Sequence, residues 1–511
     1  MTDSGETALS AARRAKELAE LPEQIDVLVV GLGATGAGVA LDAASRGLSV
    51  LAVDAHDMAF GTSRWSSKMI HGGLRYLAGG HVAVARESAI ERGILLSTTA
   101  PHLVRAKPFL LPLTPAVSTA KAFVSYSGML FGDLLRVSAR TPRSLLPGPR
   151  WISPTEVMRL APGLSAGEVR GGVLHWDCQV VDDARLVIAL ARTAAGHGAR
   201  IVTRCRALAL GKTSTLRDEL TGTEFEVRAR AVINATGVWA GQLDRSIHLR
   251  PSRGSHLVLP SAVFGDLRAG LNIPIPGERA RFALVLPQYD GRTYVGLTDE
   301  PIDGDFPDVP TPSTQEIDFL LDLVSAVTPR PIRREDLIGT FAGLRPLLAG
   351  GGHTSDLSRR HAVLVNPGGV VTVVGGKLTT YRRMASDAVD RALQVARIPA
   401  GPCVTKTLPL VGAAPLAHLG TLHAPARLVE RYGTEAPLLA AGDLTPVVTG
   451  TDVTRAELEW AVSHEGALDV DDVLDRRTRI GLVATQRVAA LPTAAEVLAH
   501  HRAPVPRGHS G

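Results

Sequence analysis

Residues 25–30 (IDVLVV) form an unbroken apolar run of the length expected for a strand buried on both faces, and residues 49–54 (SVLAVD) form a second. Between them stand Gly31, Gly33 and Gly36, then a small-residue stretch over 37–46 that Gly47 ends. Strand, glycine turn, helix and strand in this order predict a βαβ unit. A second α/β passage starts at Asp182, with 184–195 reading as helix, 200–208 as strand, and 231–237 (AVINATG) as a strand entering a glycine turn. Residues 245–340 alternate short apolar runs with turn residues and read as strands and loops. Another apolar strand, 370–374 (VVTVV), leads into Gly375, Gly376 and Lys377 and a following helix. After Pro402 the texture changes to helices with charged faces, beginning near Leu428 and Thr454. Residues 1–22 read as an exposed helical tail ending at Pro22, and the segment after Pro504 as disordered. No internal repeat is visible.

At 511 residues the chain exceeds what one core organises, so two or three domains are expected. Its 45% apolar and 21% charged residues are ordinary for a globular protein. Cys178, Cys205 and Cys403 lie far apart with no CxxC pair, which fits a reducing compartment and argues against a disulfide framework or a thiolate metal site. No metal is therefore expected. A net charge of +5 suits an anionic substrate or membrane surface. No Lys/Arg run with interleaved aromatics marks a nucleic-acid binder. No apolar stretch reaches the ~18–20 residues a membrane span needs, and the N-terminus lacks the apolar core of a secretory signal. The expectation is a cytoplasmic protein, free or peripheral to the cytoplasmic face of the membrane.

The first glycine turn carries chemistry. Gly31 allows a tight turn, Gly33 lets the backbone approach a pyrophosphate, and Gly36 lets helix and strand pack closely. Phosphates would then meet the helix N-terminus, where N–H groups and the dipole favour anions. Asp54 closes the second strand and can accept from ribose hydroxyls, while disfavouring a 2′-phosphate. Two later features point to FAD. The strand ending in Gly237 returns the chain to the cofactor, as in flavoproteins with two dinucleotide folds. The turn at Gly375, Gly376 and Lys377 aims a second helix start, near Leu378 and Thr379, at an anion, as a reduced flavin requires.

Six segments resemble the FAD-dependent, aerobic, quinone-reducing glycerol-3-phosphate dehydrogenase family. They are 62–77 (TSRWSSKMIHGGLRYL), 176–186 (WDCQVVDDARL), 254–259 (GSHLVL), 296–299 (GLTD), 341–346 (FAGLRP) and 375–382 (GGKLTTYR). The similarity runs from about residue 23 to 400 and extends toward 490. The resemblance implies FAD, sn-glycerol 3-phosphate as substrate, a membrane quinone as acceptor, and cofactor contacts from Ser66, Ser67 and Lys68 along the ribityl and diphosphate. Two departures are Trp65, where many relatives carry small residues, and Asp54, where relatives usually have Glu.

Oxidising a secondary alcohol beside a flavin needs a base for the hydroxyl proton and cations for a phosphate dianion. Arg75, Arg345 and Lys377 sit beside glycine or proline rather than on a charged helical face. They are the expected phosphate ligands, with Tyr76 and Thr379 adding neutral hydrogen bonds. His256 is the candidate base, and His71 competes for that role. The resulting fold class is α/β: a FAD-binding two-dinucleotide, Rossmann-like domain with an α+β substrate domain and a helical C-terminal domain. The FAD domain is expected to be discontinuous (23–105, 166–245 and 341–400), the substrate domain to comprise 106–165 and 246–340, and the C-terminal domain 401–500. Two alternatives stand beside the dehydrogenase: a glycerol-3-phosphate oxidase using oxygen, and a catalytically silent flavin-binding module. A second copy of the chain, forming a homodimer, is a further candidate partner. Residues 121–140 mix Phe123, Met129, Leu130, Phe131, Leu134 and Leu135 with basic residues, the composition of a helix lying in a membrane interface or packed at a domain boundary.

Overall fold

The computed structural model describes residues 4–501 apart from 79, 116, 118, 279–280 and 350–360; the side chains of 4, 75, 78 and 119–121 are also outside the description. The βαβ unit is present: strand Gln24–Val30, helix Ala34–Ser45 and strand Val50–Val53. Gln24–Val30 is the centre of the first sheet. Val50–Val53 and then Arg200–Val202 lie parallel on one side of it, Glu224–Asn234 and then Val371–Val374 on the other. The chain thus reverses its direction of travel across the sheet at Gln24–Val30, and the strand ends align: Val30 pairs with both Val53 and Asn234. Such a switch point opens a crevice at the carboxyl ends of the strands, and here the turns at Gly31, Asp54, Ala235 and Gly375 all leave from that edge.

The second sheet has ten strands, mostly antiparallel, running from Glu300–Pro301 through Ser252–Pro260 and Val104–Pro112 to Met69–Ile70. Met69–Ile70, Gly172–Val180 and Gly339–Arg345 belong to it, although their sequence neighbourhoods read as parts of the FAD layer. The reason is pairing: Gly172–Val180 zips along the whole of Val104–Pro112, and Gly339–Arg345 along Ser252–Pro260. That last register matters for the site, because it sets His256 opposite Phe341 and Ser252 opposite Arg345. Within 245–340, read as strands and loops alone, lies the helix Thr314–Ser325, opened by a capping box between Ser313 and Glu316.

Residues from 416 onward form short helices ending in Ala484–His501, with their own apolar cluster around Leu458, Val473, Ile480 and Val497. No helix among the described residues is long and apolar enough to cross a membrane.

The N-terminal segment departs from the expected exposed tail. Ser4–Thr7 and Ala11–Ala19 are helices, and Leu9 forms a parallel bridge with Glu465. Arg14 is buried, with Nε donating to Thr203 O at 2.7 Å and a terminal nitrogen to Asp218 Oδ1 at 2.5 Å. A docked segment satisfies the buried carbonyls of the 203–204 turn, which a free tail would leave to solvent. Removing one partner of such a buried pair costs on the order of 3 kcal/mol. Arg14→Ala is therefore expected to lower the unfolding midpoint of the FAD-loaded protein by several degrees; an unchanged midpoint in a thermal scan would show that the segment is passive.

Candidate functional site

A cavity of about 710 Å³ runs between the two sheets, with Gly31, Gly33 and Asp54 lining one part and His256, Arg345 and Lys377 another. The nucleotide end is shaped by missing side chains. Gly31 has φ +97°, and a Cβ there would lie 2.7 Å from Ala235 O; a Cβ on Gly36 would lie 1.7 Å from Gly31 O. Gly36 itself is inside the helix and does not line the cavity. Its lack of a side chain is what brings the helix start against the strand end. Gly33 N-caps that helix, and the Ala34 N–H donates to Ser63 Oγ at 2.9 Å. Ser63 is a site residue that sequence reasoning passed over, although it sits inside the resembling 62–77 segment.

Asp54 accepts from Leu32 N–H at 2.7 Å through one oxygen and from His56 N–H at 2.8 Å through the other. Burial pushes its carboxyl up to about 6, against the two hydrogen bonds that favour the charged form. It faces the cavity where a ribose hydroxyl would gain a strong acceptor. A cradle that any Cβ would fill, a helix N-terminus beside it and an acid at the adjoining strand end together fit a dinucleotide without a 2′-phosphate. Gly237, with φ +62°, lines the same part of the cavity.

The loop 62–68 behaves unevenly. Ser66 and Ser67 line the cavity, but Ser66 Oγ donates to Asp183 Oδ2 at 2.7 Å. Lys68 does not line it: its ammonium is buried and donates to Asp183 Oδ2 at 2.8 Å and Arg64 O at 2.9 Å. The expectation of a Lys68 side chain along the cofactor does not match this position, because the Asp183 carboxylate claims the charge. Burial first, and the Arg479 charge second, lower the Lys68 ammonium to about 8. Trp65 packs flat on Phe341, with ring centroids 5.8 Å apart, and forms part of the cavity wall.

At the other end, the His256 ring is buried, stacks on Phe341 at 4.5 Å, and pairs Nε2 with Ser67 Oγ at 2.8 Å. Among the described residues its Nδ1 has no hydrogen-bond partner. Burial, with the Lys68 and Arg345 charges, pushes the imidazole down to about 3, so the ring is neutral. His71 Nδ1 accepts from Gly73 N–H at 3.2 Å, which puts the proton of the neutral ring on Nε2. The His71 N–H donates to Thr379 Oγ1 at 3.2 Å, and Gly72 N–H donates to Asp177, itself paired with Arg92 at 2.7 Å. Asp177 and Arg92 hold the 71–73 turn; the sequence signal for Asp177 was its place in WDCQVVDDARL.

Arg345 is held before any ligand arrives. Nη1 donates to Asp299 Oδ1 at 2.9 Å and Ser252 Oγ at 3.2 Å, and Nη2 donates to Thr298 O at 3.1 Å. Gly254 makes room for it: a Cβ there would be 2.3 Å from Arg345 Nη2. Lys377 Nζ donates to Ser88 Oγ at 2.8 Å and lies 3.8 Å from the centroid of the Tyr76 ring. Gly375 and Gly376 both have positive φ and turn the chain into Leu378–Thr380 and the helix Tyr381–Ala396; Gly376, Leu378 and Thr379 line the cavity. Arg75 sits on the short helix Leu74–Ala78, and its side chain lies outside the described residues. The structure thus brings His71, Tyr76, His256, Arg345, Lys377 and Thr379 to one cavity wall.

A model of the FAD dependent oxidoreductase family matches residues 26–382, and one described as the C-terminal domain of alpha-glycerophosphate oxidase matches 403–503. Glycerol-3-phosphate dehydrogenase 1 of Mycobacterium tuberculosis is 52% identical over 96% of this chain and 98% of its own length. Glycerol-3-phosphate dehydrogenase of Pseudomonas aeruginosa is 33% identical over 91% of this chain and 93% of its own. The glycerol-3-phosphate dehydrogenase of Bacillus halodurans, solved in complex with FAD, superposes with a TM-score of 0.73 at 25% identity, covering 96% of this chain and 94% of that one. The glycine crossing gives a direct check on the cofactor cradle. Gly36→Ala is expected to yield protein with little bound flavin, measured as flavin absorbance per protein; a fully yellow variant would show that helix and strand separate without losing the site.

Proposed function

The chain belongs to the FAD-dependent glycerol-3-phosphate dehydrogenase family, and on that premise we propose that it oxidises sn-glycerol 3-phosphate to dihydroxyacetone phosphate and delivers the electrons to a membrane quinone. FAD is its cofactor, and when bound it supplies the two-electron acceptor. The observation that carries the substrate reading is the pre-set guanidinium of Arg345 on the cavity wall shared with Lys377 and His256. A phosphate dianion entering a partly dry cavity needs fixed cations. Asp299, Ser252 and Thr298 O orient Arg345 in advance, so little side-chain freedom is lost when the phosphate binds. Lys377 adds a point charge at the glycine turn, and Arg75 is the proposed third cation.

His256 is the proposed base. Its neutral ring, with Nε2 on Ser67 and Nδ1 without a partner among the described residues, can take the hydroxyl proton. An imidazole held at about 3 is a weak base, but a phosphate beside Arg345 counters one cause of that depression. His71, as the Nε2–H tautomer, is suited to donate a hydrogen bond rather than accept a proton. Tyr76 and Thr379 complete the wall.

The acceptor reading is supported by the helix Thr119–Ser138. Val124, Ser125 and Met129 border the main cavity, while Phe123 (64% exposed), Phe131 (63%) and Leu134 (62%) face outward. Met129 and Leu135, grouped with them on the sequence, are buried. An apolar face this close to the cavity, with Arg140 and Arg143 exposed at its end, suits a helix lying in an anionic interface, from which a quinone enters. The printed name of the C-terminal family is an oxidase, so hydrogen peroxide measured against quinone reduction decides the acceptor.

Arg345→Ala is expected to cost on the order of 2–5 kcal/mol of substrate binding, and Arg345→Lys nearly as much, because the planar fork is lost either way. Unphosphorylated glycerol is expected to be a very poor substrate of the parent, with the variants discriminating far less. Steady-state kinetics with both substrates settle it: an Arg345→Ala enzyme that keeps the parent's preference for the phosphate ester excludes Arg345 as the ligand. For the helix, Phe123→Glu with Phe131→Glu is expected to release the protein from anionic vesicles while activity with a soluble dye persists; unchanged vesicle sedimentation would place the membrane contact elsewhere.

A further inference from the structure

We propose that Arg479, in the helical C-terminal domain, is a positioning residue for the reaction, acting through Asp183 and the 64–68 turn on the Ser67–His256 pair. The inference rests on the reading of His256 as base. Arg479 is buried and stands in left-handed backbone, φ +63°, between the turns Asp472–Arg477 and Ile480–Leu482. An arginine keeps that conformation only where its surroundings fix it, and here they do. Nη1 donates to Asp183 Oδ1 at 2.7 Å and to Arg64 O at 3.2 Å, and its own carbonyl accepts from Arg292 Nη1 at 3.0 Å.

The other oxygen of Asp183 faces the site. Oδ2 accepts from Ser66 N–H at 3.0 Å, Ser66 Oγ at 2.7 Å and Lys68 Nζ at 2.8 Å. Lys68 in turn also has left-handed backbone, φ +61°, and its ammonium closes back on Arg64 O and Ser66 O. Ser67 is thereby pinned from both neighbours, and its hydroxyl is the group 2.8 Å from His256 Nε2. Each link is buried or half-buried, so water competes weakly for these groups.

Charge explains why the relay needs an arginine from outside the FAD domain. Asp182 and Asp183 are adjacent, buried acids; Lys68 alone neutralises one of them. Arg479 is the second buried cation, within 3.4 Å of Asp182 and 2.7 Å of Asp183. Without it, Asp183 must share Lys68 with an uncompensated neighbour, and the 64–68 turn loses one of the two groups that draw Arg64 O and the carboxylate together. The substrate cations are held separately: Arg345 by Asp299, Ser252 and Thr298, and Lys377 by Ser88 and Tyr76. A fault in the relay should therefore appear in kcat and spare KM.

The test is a kinetic cycle on FAD-loaded enzyme with Arg479→Gln, Ser67→Ala and the double variant. Arg479→Gln is expected to keep its flavin content and its KM for glycerol 3-phosphate while losing about 10²-fold in kcat, the scale of a small misplacement of a reacting group. Most of that loss is expected to vanish when the change is made in the Ser67→Ala background. A folded, flavin-loaded Arg479→Gln with parental kcat overturns the proposal, and so do losses that simply multiply in the double variant. Should Arg479→Gln fail to retain flavin, Ser66→Ala opens the same relay from the other side of Asp183 without leaving a buried charge; its loss must likewise fail to multiply with Ser67→Ala, or the relay is refuted. His256→Ala, run in parallel, tests the base itself: full activity there strikes that assignment, a result distinct from a fully active Arg479→Gln.

Discussion

The cofactor half of this protein depends on three backbones meeting without side chains. Gly36 packs so closely that a Cβ would lie 1.7 Å from Gly31 O, while Gly31 in turn leaves no space before Ala235 O. That contact locks the start of the helix Ala34–Ser45 to the ends of two neighbouring parallel strands, Gln24–Val30 and Glu224–Asn234. Because the strands are in register at Val30 and Asn234, their following turns open on the same side. The helix N-terminus, Asp54 and Gly237 therefore face one cavity, and no additional device is needed to gather them.

The catalytic half is organised by a division among buried cations. Some are directed at the cavity and merely oriented by their partners, as Arg345 is by Asp299 and two oxygen acceptors. Others are consumed in structure: Lys68 by Asp183, and Arg476 and Arg477 by Asp57. The distinction is one of stoichiometry. Arg345 meets one carboxylate while standing on the cavity wall, whereas Lys68 is fully enclosed with a carboxylate and two carbonyls around one ammonium. An interior this rich in ion pairs is costly to desolvate, and what it secures is a defined placement of loops that strands alone would leave loose.

This division also marks where the sequence could be read and where it could not. Gly31, Gly33 and Gly36 were legible because their spacing encodes a backbone geometry that only glycine adopts. The fold class followed from the runs around them, and the helical C-terminal third from its change of texture. Lys68 was not legible: nothing in SSK tells whether its ammonium faces the cavity or an acid more than a hundred positions later. Asp177, Asp183 and Arg479 act through such distant partners, so their roles emerge only once the strands and loops are placed. The strand memberships of Met69–Ile70, Gly172–Val180 and Gly339–Arg345 likewise depend on non-local pairing. The Ser313–Glu316 capping box, by contrast, was a local signal within a stretch read as strands and loops, and it names the helix that reading passed over.

The docking of the N-terminal segment has a kinetic meaning. Leu9 exchanges backbone hydrogen bonds with His464 and Gly466, so the opening residues of the chain are completed by a region near its other end. Contacts of such sequence separation carry the largest loop-closure entropy and form late. During synthesis the first residues to leave the ribosome must therefore wait for almost all the rest, with Arg14 and its neighbours exposed in the meantime. The strap is in effect a completeness check: a chain that stalls before residue 464 presents an unfastened N-terminus, and one that finishes tucks it away.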